Sequence, residues 1–135
     1  MTKYWVGVVS KNHVMVGVDG GFCQLNHGKK AALSRMKKGD QLLFYAPKQS
    51  LVGKEPYQKI IALGTLNDDL IYQVEMSPDF SPYRRNITYE KGLCEVDLAW
   101  LNRWPEWQAV RSKLRFGHLE ISKELFTEIN KKMRA

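Results

Sequence analysis

Short runs of β-branched and aromatic residues recur along the first two thirds of the chain. Such runs are typical of strands, and the residues between them are rich in Gly, Pro, Asn and Asp, which favour turns. The first run is apolar on both faces and therefore predicts a central, buried strand. The pattern predicts about six or seven short strands, at 4–10, 22–26, 40–46, 58–66, 71–76, 83–89 and 94–96.

Turn-forming residues separate several of these runs. His27-Gly28 predicts a turn after the second run, and Pro47 is expected to end the third. The segment 67–69, Asn-Asp-Asp, predicts a turn between the fourth and fifth runs. Its two aspartates are therefore expected to shape a turn and not to form a paired-carboxylate site. The segment 77–82 contains two prolines and predicts a rigid loop.

Apolar residues at helical spacing predict short helices between and after the strands. The helix at 29–38 has a basic outer face, and Ser122 is a suitable N-cap for the last helix. The predicted helices lie at 11–19, 29–38, 98–101 and 104–114 and in the segment after Ser122.

The mixture of strands and helices indicates an α+β fold. The expected architecture is a mixed β-barrel with peripheral short helices and a C-terminal helix. A length of 135 residues fits one domain, and no repeat, low-complexity tract or linker divides the chain. We therefore expect a single domain over residues 1–135.

The charge is distributed unevenly. The chain has 21 basic and 14 acidic residues, a net charge of +7. Residues 1–54 contain nine basic and two acidic residues, and residues 111–135 contain seven and three, whereas the middle of the chain is acidic. If the fold brings the two ends together, they form one basic face. Such a face indicates a polyanion, with nucleic acid first, although a solvated surface that only aids solubility explains the same charge.

The chain shows no sign of export or membrane insertion. No apolar run approaches the ~18 residues of a membrane-spanning helix. The apolar run near the N-terminus lacks the length and the cleavage site of a signal peptide. We therefore expect a cytoplasmic protein without a membrane partner, whose Cys23 and Cys94 are reduced, packed thiols.

Known catalytic motifs are absent from the sequence. It contains no P-loop, no dinucleotide fingerprint and no cysteine pair at zinc spacing. Ser10, His13 and Asp19 lie close in sequence, but no nucleophile elbow surrounds the serine. We therefore expect a binding module without a metal ion or cofactor.

Three aromatic residues stand in contexts where core packing does not demand them. Phe22 follows two glycines, Tyr45 lies shortly before a proline, and Tyr83 lies between Pro82 and two arginines. Proteins hold an unpaired or flipped base between aromatic faces, with polar groups at its edge. These side chains are therefore candidates for a base pocket, while burial in the core remains the alternative for each.

Several blocks of the chain resemble the EVE domain family in the same order. They cover nearly the whole chain, so the resemblance is more specific than a short motif. The blocks are 4–11 with His13, 20–30 from Gly-Gly-Phe to Lys-Lys, 36–40, 45–47, 78–85 around Pro-Tyr-Arg-Arg, and 115–122.

This resemblance implies a PUA-like fold, similar to that of the YTH domains that read N6-methyladenosine. EVE domains resemble readers of modified bases in DNA or RNA, with methylated cytosine favoured, and are not known as catalysts. One departure concerns the block at 82–85. The family often has Trp where this chain has Tyr83, which presents a smaller stacking face and a hydroxyl.

The resemblance also implies the site residues. Phe22 and Tyr83 would form the cage walls, and the basic residues would hold phosphates. The candidate base-contacting residues are Ser10, His13, Phe22, Gln24, Asn26, Tyr45, Pro47 and Tyr83. The candidate phosphate-binding residues are Lys11, Lys29, Lys30, Arg84, Arg85 and Arg115, with pairing to nearby acids as the alternative for Arg84 and Arg85.

The resulting hypothesis is a non-enzymatic reader of a modified base in nucleic acid, with methylated or hydroxymethylated cytosine preferred. Two alternatives stay open at this point. One is binding of unmodified structured RNA, as in other PUA-like domains. The other is an enzyme that acts on a nucleotide-like small anion with Ser10 and His13.

Overall fold

The computed structural model describes residues 1–135 and contains seven strands and five α-helices. Both cysteines are free thiols: Cys23 is packed as expected, but Cys94 is exposed. None of the helices combines the length and the apolar character that crossing a membrane requires.

The strands are β1 (Tyr4–Val8), β2 (Phe22–Cys23), β3 (Gln41–Lys48), β4 (Pro56–Gln73), β5 (Tyr83–Tyr89), β6 (Val96–Asp97) and β7 (His118–Ile121). The helices are α1 (Lys11–Gly20), α2 (Ala31–Ser34), α3 (Leu98–Leu101), α4 (Pro105–Val110) and α5 (Lys123–Met133), with 3-10 turns at Asn26–Gly28 and Arg111–Phe116.

All seven strands belong to one mixed sheet. Its order is β2-β5-β4-β3-β1-β7, and β6 pairs with β4. β1 pairs in parallel with β3 and antiparallel with β7, so the prediction of a central first strand is confirmed. The α+β class is also confirmed. The sheet is not closed, however, because no pairing joins β2 to β7 at its two ends.

Two hydrophobic cores lie on the two faces of the sheet. Side chains of a strand alternate between faces, and β3 shows how the cores divide. Leu42 and Phe44 pack with the residues of α1 and α2, whereas Leu43 and Tyr45 pack with the C-terminal helices. The last helix buries Leu125, Phe126, Ile129 and Met133, the apolar stripe expected from its sequence, and Ser122 caps it through the amide of Leu125 at 3.1 Å.

The predicted turn at 67–69 is wrong, because β4 continues through it. The pairing of β4 with β5 shifts register between Leu66 and Ile71. The polar residues between them form a bulge, and the neighbouring strand satisfies their polar groups. Thr88 Oγ1 donates to Asn67 Oδ1 at 2.6 Å, and Asn86 Nδ2 donates to Asp68 Oδ2 at 3.2 Å.

Other element boundaries also differ from the predictions. Pro47 does not end the third strand, because β3 continues to Lys48, which pairs with Pro56. β2 ends at Cys23, because the chain soon enters a left-handed turn at Asn26–Gly28. The helix predicted at 29–38 is confined to α2, and the helix predicted at 104–114 changes after Val110 into a 3-10 turn. β7 was not predicted from the sequence. This strand is short, and its only partner strand, β1, begins the chain.

The carboxylate of Asp40 joins the start of β1 to the start of β3. It accepts hydrogen bonds from the amides of Lys3 and Lys37 and from the indole of Trp5, at 2.9–3.0 Å. Burial alone would raise the pKa of Asp40, but the two amides and the indole outweigh it and lower the pKa. This carboxylate therefore stabilises the fold in its charged form.

Arg85 and Asp40 are the only charged residues that are buried. The guanidinium of Arg85 donates to the carbonyl of Leu33 within α2, to the carbonyl of Met36 just after α2, and to the carbonyl of Asp68 in the β4 bulge. The carboxylate of Asp69 lies 3.7 Å away but is mostly exposed, so the carbonyls supply most of the pairing. Arg85 thus ties α2 and β4 to β5.

We expect Arg85→Met to lower the free energy of unfolding by about 3 kcal/mol or more, because it leaves buried carbonyls without donors. The matched control is Arg84→Met, whose side chain faces the other side of β5. Its expected cost is about 1 kcal/mol or less. Urea unfolding followed by circular dichroism measures both values, and equal losses in the two variants would contradict this role of Arg85.

His118 generates a second stability prediction. Its ring is buried, stacks on Trp5 at 4.6 Å and has no hydrogen-bond partner at either nitrogen. Burial, and then the charge of Arg35, lower the pKa of His118 to about 4. The unfolded chain, with a pKa near 6.5, therefore binds more protons between pH 6.5 and pH 4.

The folded protein consequently loses about 3 kcal/mol of stability from this one residue as the pH falls through that window. In His118→Phe, which retains a ring on Trp5, this contribution should be absent. We expect the difference in free energy of unfolding between variant and wild type to change by about 3 kcal/mol between pH 7 and pH 4. Parallel pH profiles of the two proteins would show that His118 does not titrate in this way.

Candidate functional site

A cavity of about 720 Å³ opens beside the start of α1. Its walls come from the ends of β1 and β3, from α1, β2 and β5, from the turn at Asn26–Gly28, and from the segments around Phe80 and Phe116. The structure brings nine of the fourteen candidate residues to this cavity. They are Ser10, His13, Phe22, Gln24, Asn26, Lys29, Pro47, Arg84 and Arg115.

The charge of the cavity lining has one sign. Four of the 25 lining residues are cations, and none is an aspartate or glutamate. None of the four cations forms an ion pair with a carboxylate elsewhere in the protein. A cleft with unpaired charges of one sign focuses its field and attracts the opposite charge, so this cavity favours an anion. The four cations are Lys29, Lys48, Arg84 and Arg115.

The hydroxyl of Ser10 is a free polar group in the wall. Ser10 is only 8% exposed, and its Oγ has no hydrogen-bond partner. It occupies the N-cap position of α1, yet its side chain does not cap the helix, unlike Ser122 of α5. A buried hydroxyl without a partner is costly, so Ser10 Oγ is a candidate partner for a polar group of a ligand.

Phe22 and Arg84 form a composite wall. The guanidinium carbon of Arg84 lies 3.8 Å from the centre of the Phe22 ring, a cation–π contact. Arg84 Nε donates to Gln24 Oε1 at 3.0 Å, and Arg84 Nη2 lies 3.3 Å from Met76 Sδ. The guanidinium therefore covers one face of Phe22, and the side chain of Gln24 orients Arg84.

The turn at Asn26–Gly28 is strained. Asn26, His27 and Gly28 have φ of 49°, 59° and 82°, and two of them are not glycine. Backbone in this region costs about 1–3 kcal/mol for such residues, and it concentrates at functional sites. The turn places Asn26 and the exposed His27 at the cavity. Gly117 packs against it so closely that a Cβ there would overlap Asn26 Oδ1.

The floor of the cavity is neutral. Burial raises the pKa of the Cys23 thiol to about 12 and raises the pKa of Tyr89 as well. The hydroxyl of Tyr89 donates to the carbonyl of Phe22 at 2.9 Å. Neither group is an activated nucleophile, and Ser10 Oγ has no hydrogen-bonded base. No group of three or more His, Cys, Asp or Glu side chains is arranged to hold a metal ion.

Five candidate residues lie away from the cavity, two of them aromatic. Tyr45 follows Phe44 in β3 and so faces the opposite core, where its ring lies 5.6 Å from that of Trp107. Tyr83 is half-buried against the core that contains Phe44, and Lys30 Nζ lies 5.8 Å from its ring. The structure therefore does not bring Phe22 and Tyr83 together around one cavity.

The other three are basic. Arg85 is buried as described above. Lys30 lies next to Tyr83. Lys11 donates to the hydroxyl of Tyr57 at 2.9 Å, which raises the pKa of Lys11, and the same hydroxyl donates to Glu95 at 2.6 Å. These contacts direct Lys11 toward β4.

Four further residues with suitable chemistry line the cavity and were missed by the sequence analysis: His27, Lys48, Phe80 and Phe116. His27 was interpreted only as part of a turn. Lys48 and Phe80 lie in segments that looked like loops, and Phe116 lies between two predicted elements. The sequence offered one signal for Phe80 and Phe116: each is a large aromatic residue in a polar segment, where core packing does not require it.

Comparison with known proteins identifies close relatives. A UPF0310 protein of Streptococcus sanguinis is 47% identical over 134 residues, which cover 99% of this chain and 95% of that protein. A UPF0310 protein of Helicobacter hepaticus is 50% identical over 124 residues, which cover 92% and 91%.

Solved structures share the fold at low sequence identity. Rpa0253 of Rhodopseudomonas palustris superposes with a TM-score of 0.65 at 19% identity, covering 98% of this chain and 93% of that one. The MmI1 YTH domain superposes with a TM-score of 0.55 at 12% identity, covering 95% and 92%. A sequence model of the EVE domain matches residues 3–132, which confirms the resemblance found in the sequence. The protein belongs to the EVE domain family.

Proposed function

We propose that the protein binds nucleic acid without catalysing a reaction and takes one modified base into the cavity. The observation that carries this proposal is the lining itself: four unpaired cations, no carboxylate, and a free buried hydroxyl around an apolar floor. Membership of the EVE family and the fold shared with a YTH domain support it. The volume of about 720 Å³ lies within the range of small-ligand sites.

Two polar side chains of the lining, Ser10 and Asn26, can form hydrogen bonds with the edge of a base. Ser10 Oγ can donate or accept one hydrogen bond, and the amide of Asn26 can do both. Arg84 presents a planar guanidinium to the cavity, with Phe22 behind it. Bases stack on such planes as they do on aromatic rings. We propose that the base lies against this Phe22–Arg84 wall, because Tyr83 does not reach the cavity.

The apolar floor favours a base with an added methyl group. Val9, Val14 and Phe44 line the cavity with hydrocarbon surface. Burial of one methyl-sized group contributes about 0.8 kcal/mol, which corresponds to about a fourfold gain in affinity. The floor does not select the base itself; the EVE resemblance favours cytosine, so methylated or hydroxymethylated cytosine is the ligand that we propose. The unpaired cations alone would serve unmodified structured RNA equally well, so that ligand is the alternative to test.

The first test compares short single-stranded oligonucleotides that contain one cytosine, 5-methylcytosine or 5-hydroxymethylcytosine. Fluorescence anisotropy should show at least about fourfold tighter binding of a modified strand. Ser10→Ala should weaken binding by about threefold to tenfold through the lost hydrogen bond, and Phe22→Ala should weaken it further. Tyr45→Phe, on the opposite core, is the control and should bind as wild type does.

Two results would contradict the proposal. One is equal affinity of the wild-type protein for modified and unmodified strands. The other is unchanged affinity in Ser10→Ala and Phe22→Ala. Tighter binding of unmodified structured RNA than of every modified strand would favour the alternative.

A second test measures how the association constant depends on salt. Arg115→Gln and Lys48→Gln each remove an unpaired cation from the cavity lining. Each should reduce the slope of log K against log salt concentration by about 0.7–0.9 if the cation contacts a phosphate. The control is Lys59→Gln, because Lys59 lies 3.9 Å from Glu95 and outside the lining. Slopes that match wild type in all three variants would exclude phosphate contacts by Arg115 and Lys48.

A further inference from the structure

Two exposed phenylalanines at the cavity have no role in the base site described above. We propose that Phe80 and Phe116 stack the nucleotides that flank the bound base, so that the ligand is an unpaired strand and not a free nucleoside or an intact duplex. This inference rests on the proposed function.

Phe116 is displayed on a rigid segment. Its side chain is 61% exposed, although the 3-10 turn that carries it is well anchored. Gly117 follows it with φ of 82°, its amide donates to the carbonyl of Leu114 at 3.0 Å, and its carbonyl accepts from Val8 at 2.9 Å. The ring is therefore held at the cavity while most of its surface faces solvent.

Phe80 is displayed in a similar way. It is 38% exposed and closes a tight turn, in which its amide donates to the carbonyl of Ser77 at 3.1 Å. Its own carbonyl accepts from the amide of Met76 at 2.9 Å. A Cβ placed on Gly28 would lie 3.5 Å from the Phe80 ring, so this ring packs beside the strained turn.

The strained turn connects the two rings to the base site. Asn26, at one end, contacts Gly117 next to Phe116, and Gly28, at the other end, lies beside Phe80. A base held near Asn26 therefore has one exposed ring beside each end of the turn that holds it. Successive bases of an unpaired strand stack on aromatic side chains arranged in this way.

The cations around Phe116 and the strained turn favour a polyanion as the occupant. The guanidinium of Arg115 lies 4.9 Å from the Phe116 ring, and Arg111 and Lys113 belong to the same 3-10 turn. Lys29 follows the strained turn directly. Aromatic rings interleaved with unpaired cations are typical of grooves that bind single strands, in which the cations follow the backbone. An apolar protein segment would leave these cations without partners.

The test uses a pentanucleotide with the preferred modified base at its centre. Four forms are compared by anisotropy: the intact strand, a strand with abasic sites on both sides of the central base, a strand with an abasic site in place of the central base, and the intact strand annealed in a duplex. For the wild-type protein, we expect the abasic flanks to weaken binding by about tenfold or more, and the duplex to bind more weakly than the single strand.

Single substitutions then test whether Phe80 and Phe116 are the side chains on which the flanking bases stack. Phe116→Ala and Phe80→Ala should each weaken binding of the intact strand, and the double variant should bind the intact and the abasic-flanked strands equally. Leu51→Ala is the matched control, because Leu51 is an exposed apolar residue of the same lining without a ring. Thermal unfolding checks that each variant is folded, and little change is expected for Phe116→Ala, whose side chain is 61% exposed.

The outcomes separate this inference from the proposed function. If abasic flanks or the two Phe variants leave affinity unchanged while the central base still matters, the flanking-base inference is wrong and the base site stands. If an abasic site at the central position also has no effect, the proposed function fails as well. Loss of affinity in Leu51→Ala equal to that in the Phe variants would indicate a general apolar surface, such as one for a protein segment, and would overturn stacking.

Discussion

The alternation of side chains along β3 and β5 is the constraint on which both the fold and the candidate site depend. In β3, Phe44 faces the cavity and the neighbouring Tyr45 faces the opposite core. In β5, Arg84 reaches the cavity, whereas the neighbouring Arg85 is buried and bonds to carbonyls of α2 and of the β4 bulge. A shift of one residue in either strand would exchange these partners. Neighbours of nearly identical chemistry therefore have different roles, one structural and one available to a ligand.

The cavity retains features that cost stability and that a purely structural surface would not need. Its four cations have no carboxylate partners, the buried Ser10 hydroxyl has no hydrogen bond, and the turn at Asn26–Gly28 adopts left-handed backbone at two residues that are not glycine. The unpaired hydroxyl and the left-handed backbone are unfavourable in the free protein, and the solvated cations are available to an anionic ligand. Their occurrence around one cavity is the physical basis of the proposed function.

The sequence predicted most elements correctly, because strand and helix patterns depend mainly on local residues. It failed where distant partners decide the structure. Asn67 to Asp69 look like a turn, yet they form a bulge because β5 supplies donors to them. β7 was missed, since it is stabilised by pairing with β1 at the other end of the chain. Nine candidate site residues meet at the cavity, and five others lie elsewhere because the register of the strands and the contacts of two lysines determine their direction.

The sequence by itself determined the α+β class, the central position of the first strand, the membership of the EVE family and the excess of basic residues at the two ends. These properties follow from composition, local periodicity and ordered sequence blocks. Only the tertiary structure decided that Arg84 and not Arg85 lies over Phe22, that Tyr83 is separate from the cavity, and that Phe80 and Phe116 adjoin one strained turn. The physical reason is that strand register and long-range hydrogen bonds orient side chains, and neither can be seen in the order of the residues alone.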